Sequence, residues 1–152
     1  MTIIKSQNTN KIRIKNDYAT VLNYANKKNY PLLRKAIATG FDVNQKNNWG
    51  ISFFSNIVIS DDIELIEICL QAGADPFYSP QKFSDSPFSF SLFRKKEPVL
   101  LLMLNYCDRE KMIKSLNINS EEELNMLIEK DMFKNIPLVL KKIKKIISKN
   151  DF

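Results

Sequence analysis

Residues 50–76 read GISFFSNIVISDDIELIEICLQAGADP, and this stretch decides the fold. Its second half predicts a helix over about 63–71 with Ile63, Leu65, Ile66, Ile68, Cys69 and Leu70 as apolar set. That set is broader than the single stripe of a surface helix, so the helix is expected to be covered on two sides. Gly73 follows where a left-handed C-terminal cap is needed, a conformation glycine adopts without Cβ strain. Ala74-Asp75-Pro76 then opens an extended segment, because proline cannot continue a helix. Upstream, Asp61 and Asp62 mark a tight turn whose side chains cap the next helix. Before that turn, residues 52–59 form a shorter helix.

The same order of events recurs on both sides. PLLRKAIATGFDVN (31–44), IELIEICLQAGADPF (63–77) and PVLLLMLNYCD (98–108) align as three second helices, and ISFFSNIV (51–58) and DSPFSFSL (85–92) as two first helices. Gly40 and Gly73 are 33 residues apart, and Ser52 and Ser86 are 34 apart. A fixed period of this size is the mark of stacked helix pairs. The alternative is an irregular all-helical bundle with accidental self-similarity.

On these residues the chain resembles an ankyrin-repeat protein. The resemblance rests on Gly73-Ala74-Asp75, Gly40-Phe41-Asp42-Val43-Asn44, Gly50 at a finger tip, and Ser86-Pro87-Phe88 opening a first helix. It covers about residues 17–107, as three repeats. The family's Thr-Pro-Leu-His turn stands here as Ser52-Phe53-Phe54-Ser55, Ser86-Pro87-Phe88-Ser89 and Ala19-Thr20-Val21-Leu22. Cys107 occupies the third glycine position, where a left-handed backbone would cost roughly 1 kcal/mol, unless that exit has another geometry. The resemblance implies an all-α, ankyrin-repeat solenoid of stacked helix pairs with short finger loops and a C-terminal helical cap, in one domain over 1–152.

The flanks divide into an N-terminal arm (1–16) and capping helices (108–152). In the arm, Ile12 and Ile14 alternate with Lys11, Arg13 and Lys15, which suggests an extended strand or an unordered terminus. Asp108 caps a short helix to about 117. Ser120 with Glu123 three residues on is a capping signature for a helix expected to run to Phe133, with Leu124, Leu127, Ile128 and Met132 as its stripe. A last helix over about 136–149 sets Leu140, Ile143, Ile146 and Ile147 against Lys141, Lys142, Lys144, Lys145 and Lys149. These two helices are expected to close the open end of the stack.

The 152 residues carry 23 Lys/Arg and 17 Asp/Glu, a formal +6. The charge is split: residues 1–35 and 93–152 are basic, and 36–92 are acidic. That is not the single basic footprint of a dedicated nucleic-acid binder, so nucleic acid is an unlikely partner on this ground. The alternative partner reading uses Lys11, Arg13, Lys15 and the lysine-rich last helix on nucleic acid. No apolar run approaches a membrane span, and MTIIKSQNTNK has no signal-like apolar core, so a cytoplasmic location is expected.

With no histidine, His triads, His general bases and His metal sites are excluded. Cys69 and Cys107 cannot build a thiolate zinc site alone. Three isolated glycines make no phosphate loop. Glu121, Glu122 and Glu123 point around their helix rather than converging. The expectation is a non-enzyme with no cofactor, no metal and one protein partner.

The resemblance also implies the binding residues, at finger tips and on the exposed side of the first helices. They are Asn48, Trp49, Ile51, Ile59 and Ser60 in the second repeat. In the third they are Lys82, Phe83, Asp85, Phe93 and Arg94. In the first they are Lys15, Asn16, Tyr18, Asn26 and Lys27. Trp49, Ile51, Phe83 and Phe93 are apolar where water is expected, as at a binding hot spot. The competing reading folds Phe77, Tyr78 and Phe83 into a local core over the tips. A compact stand-alone chain with degenerate repeats is also similar to bacterial immunity proteins, which implies steric occlusion of a toxin. A host-directed effector on the same scaffold is a further reading.

Overall fold

The computed structural model describes residues 16–79 and 86–148. Among these residues the chain is all-helical, with one isolated antiparallel bridge, Lys46 to Ser52. The helices are α1 (Tyr18–Asn26), α2 (Tyr30–Ala38), α3 (Phe53–Ile59), α4 (Ile63–Gln71), α5 (Pro87–Phe93), α6 (Glu97–Asn105), α7 (Arg109–Leu116), α8 (Glu121–Ile128) and α9 (Pro137–Ile147). A 3-10 turn, Asp131–Phe133, precedes α9.

The pairs α1–α2, α3–α4 and α5–α6 repeat one local geometry. Each has a non-glycine residue in the left-handed region between its helices: Lys28, Asp61 and Lys95, with φ of 55°, 54° and 54°. The N–H of each donates three residues back, to Ala25, Val58 and Leu92 carbonyls. Gly40 (φ 106°) and Gly73 (φ 89°) make the predicted exits, and the next N–H, of Phe41 and Ala74, returns to Ala36 and Cys69. After the third pair the exit differs: Tyr106 has φ −112° and Cys107 is not left-handed. The chain thereby avoids the strain that a side chain would carry at that position.

First helices meet first helices, with α3 packed on both α1 and α5, and α4 packs on α6. The core follows from this row. Phe53 and Phe54 are fully buried, and Phe53 takes edge-to-face contacts from Tyr18 and Phe41 at 5.7 and 4.8 Å. Buried Leu33, Ile66, Leu100 and Val139 carry the second-helix side of the core from α2 to α9.

Polar groups tie each pair to the next. Asn44 donates to the Gly73 carbonyl and accepts from the Asp75 N–H at 2.9 and 2.8 Å. Asp61 receives both Arg94 and Lys96, at 3.4 and 2.8 Å. Glu97 Oε2 accepts from the Leu138 N–H at 3.1 Å, supplying the first turn of α9 with an acceptor from α6.

Two sequence expectations are corrected. The helix expected to reach Phe133 stops at Ile128: Lys130 is extended, and the 3-10 turn buries Phe133 while leaving Met132 exposed. That turn packs on α5 and α9 packs on α6, so they form a fourth, abbreviated pair; α7 and α8 are inserted before it. In the first pair, Ala19-Thr20-Val21-Leu22 does not open the helix. Asp17 caps it two residues earlier, accepting from the Thr20 N–H and hydroxyl at 2.9 and 2.7 Å. The capping expectations at Asp108 and Ser120 hold, with Ser120 Oγ accepting from Glu123 N and Glu123 accepting from Asn119 N.

Candidate functional site

The first finger is a tight hairpin built on Asn47. Its side-chain oxygen accepts from the N–H groups of Trp49 and Ile51 at 2.9 and 3.0 Å, and Gly50 (φ 76°) closes the turn. With its backbone fixed this way, the Trp49 side chain projects outward and is 83% exposed. The local core over the tip forms in part and leaves Trp49 outside it. Phe77 packs on Phe88 at 5.1 Å, while the Tyr78 hydroxyl donates to the Gly50 carbonyl and its ring lies under Lys46. Asn48 and Ile51 beside the tryptophan are also exposed.

The second cluster lies at the other end of α3, roughly 10 Å away for a seven-residue helix. Ile59 and Phe93 are the last residues of α3 and α5, equivalent positions on two helices that touch. They are 58% and 84% exposed. Ser60 and Arg94, the next residues in each chain segment, are exposed too. The Ser60 hydroxyl donates to the Ile57 carbonyl at 2.6 Å, so it belongs to its own turn. Arg94 lies over the Phe90 ring at 5.3 Å while pairing with Asp61.

The first pair contributes less. The Tyr18 hydroxyl accepts from Asn56 Nδ2 at 2.5 Å and lies 3.4 Å from the Ile51 carbonyl, which holds α1 to α3 and to the finger base. Burial raises the Tyr18 pKa above its ordinary 10.0, against the lowering effect of the Asn56 bond. Lys27 and Asn26 are exposed; Asn16 donates to Thr39 Oγ1 at 2.8 Å and so joins the scaffold. Lys15, Lys82, Phe83 and Asp85 lie outside the described residues.

A cleft of about 610 Å³ opens beside Phe93, between α5, α7, α8 and the 3-10 turn. Phe93, Leu116, Leu127, Met132, Lys95 and Lys130 are among its lining residues. Sequence reasoning missed it because its far wall comes from segments 22 to 39 residues beyond Phe93, with no repeat register to place them. Met132, expected on the apolar stripe with Leu124 and Leu127, lies instead in the 3-10 turn and lines the cleft, while Leu124 and Leu127 are buried on α8.

The chemistry on offer is apolar contact bordered by charge. Burial pushes the Cys69 thiol up to about 12, so it is no nucleophile at neutral pH, and burial raises Cys107 as well. Among the described residues no group of three or more His, Cys, Asp or Glu side chains could hold a metal ion. No helix among them is long and apolar enough to cross a membrane. Comparison with protein-family models, with curated proteins and with solved structures finds no match for this chain in any of the three.

Proposed function

We propose that the protein is an ankyrin-type interaction module that binds one partner protein through the concave side of its helix-pair row. The observation that carries this reading is the exposure of Trp49, Ile51, Ile59 and Phe93 along the finger and the ends of α3 and α5. Apolar side-chain surface left open to water is removed from it only when another surface covers it. Aromatic side chains of this kind dominate the energy of protein interfaces. The 33- and 34-residue recurrence of left-handed turns supports the ankyrin assignment. Inhibition of a toxin by steric occlusion is one use of such a surface.

The test is a quantitative pull-down from the native organism with the wild-type chain and with a Trp49→Ala/Phe93→Ala variant. A partner enriched by the wild type and depleted at least tenfold by the variant supports the reading. Equal capture by both removes it. A nucleic-acid partner would instead show binding that survives the double substitution and falls steeply with salt.

A further inference from the structure

The cleft beside Phe93 is bordered by charged turns. The turns between paired helices lie along a common edge, because polar contacts cross from each to the next: Asp61 to Arg94 and Lys96, then Lys95 to the Asp131 and Lys134 carbonyls. The acceptors of Lys95 are neutral, so no carboxylate balances its charge there. Arg94 and Lys96 share the single carboxylate of Asp61. Lys130, next to Asp131 in the lining, is exposed and makes no ion pair among the described residues. Among the lining residues of the cleft itself, Lys95 and Lys130 are cationic and Asp131 is anionic, an excess of one positive charge. Between them the cleft offers aliphatic walls and one aromatic ring, that of Phe93.

We propose that this cleft seats an acidic, apolar-bearing segment of the partner protein. The inference rests on the preceding reading of the exposed face and deepens it. Apolar side chains of the segment enter beside Phe93, Leu116 and Met132, and its carboxylates meet Lys95 and Lys130. The volume of about 610 Å³ is that of a ligand-sized pocket and accommodates a few side chains. The walls favour a peptide over a nucleic acid: a lone aromatic ring gives successive bases no stacking platform.

The probe is a random 15-residue peptide display library, selected on the full chain, with synthetic copies of the enriched sequences titrated by fluorescence anisotropy. Phe93→Ala and Lys130→Glu are the test variants; both residues are exposed, and circular dichroism checks that folding is unchanged. The expected result is enrichment of Asp/Glu-rich sequences containing Leu, Phe or Met. Their affinity should fall at least tenfold in Phe93→Ala and severalfold in Lys130→Glu, and should weaken with salt. Neutral or basic winners, no enrichment, or undiminished binding to Phe93→Ala overturns the proposal. So does tighter binding of a 15-nucleotide single-stranded DNA than of the selected peptides. Capture of the cellular partner separates the two levels. Loss in Trp49→Ala with no change in Lys130→Glu leaves the docking face standing and removes this inference, whereas no change in either removes the docking face itself.

Discussion

The Tyr30 hydroxyl of α2 donates to Asp62 Oδ2, the cap of α4, at 2.9 Å, and so links one helix pair to the next. Asp62 also accepts from the Leu65 N–H at 3.1 Å and from Lys28 Nζ at 3.4 Å. Burial works against ionisation of Asp62, but these three donors outweigh it and hold its carboxyl below the ordinary 3.8. The same bond, with some burial and the nearby carboxylates, raises Tyr30 above 10.0.

Stability should therefore be bounded on two sides by this pair. The Asp62 contribution is complete above 3.8 and disappears as pH falls through the lower folded-state value. The Tyr30 contribution is complete below 10.0 and disappears as pH rises through its higher folded-state value. Asp62→Ala should cost about 1–2 kcal/mol at neutral pH, as expected for loss of a helix cap. Urea denaturation across pH should show the difference between wild type and Asp62→Ala shrinking in acid, and Tyr30→Phe should flatten the alkaline limb.

Gly73→Ala isolates the energy of a backbone conformation. A Cβ built on Gly73 meets nothing within 4 Å, yet φ is 89°. The expected loss is about 1–2 kcal/mol from the left-handed backbone alone. Leu100→Ala, at a fully buried position, should cost more, about 2–5 kcal/mol. Equilibrium denaturation midpoints rank the two, and a Gly73→Ala cost equal to that of Leu100→Ala would contradict the open space around the glycine.

The two thiols should separate by accessibility. Cys69 is buried with its pKa near 12, and Cys107 is half-buried with a smaller rise. A thiol reagent at pH 8 should label Cys107 first and reach Cys69 only as the chain opens. Cys107→Ser should abolish the fast phase, and denaturant should accelerate the slow one.

Trp49 is the sole tryptophan, so its fluorescence reports on the finger alone. At 83% exposure its native emission should be red-shifted and readily quenched by iodide, changing little on unfolding. Partner binding should shift it to the blue and protect it. Trp49→Ala should alter stability by less than about 0.5 kcal/mol, the range for exposed positions without structural contacts.

Much of the helix-pair row was legible in the chain, because its determinants are local. Ile63–Gln71 matches the helix expected over 63–71 since the apolar set, the Asp62 cap and Gly73 all lie within a dozen residues. The exposure of Trp49 and Phe93 was legible from position within the period. What escaped depended on contacts distant in sequence. Phe133 is turned inward by its packing site near α5, not by any signal between Ile128 and Pro137, so sequence alone makes the 3-10 turn the tail of the helix that starts after Ser120. The cleft escaped for the same reason. At α1 the repeat register points to Ala19 while the local Asp17-x-x-Thr20 hydrogen-bonding signal points to Asp17, and the local signal sets the cap.

The abbreviated pair has a consequence for self-association. Its inner side is covered by α5 and α6, but α9 turns Lys141, Lys144 and Lys145 to the solvent. A second copy sliding onto this end would find only a three-residue stub where a full helix should lie. An antiparallel approach, end against end, would bring like ammonium groups together. Shape and charge on the described part of this end thus both work against a second copy stacking on it.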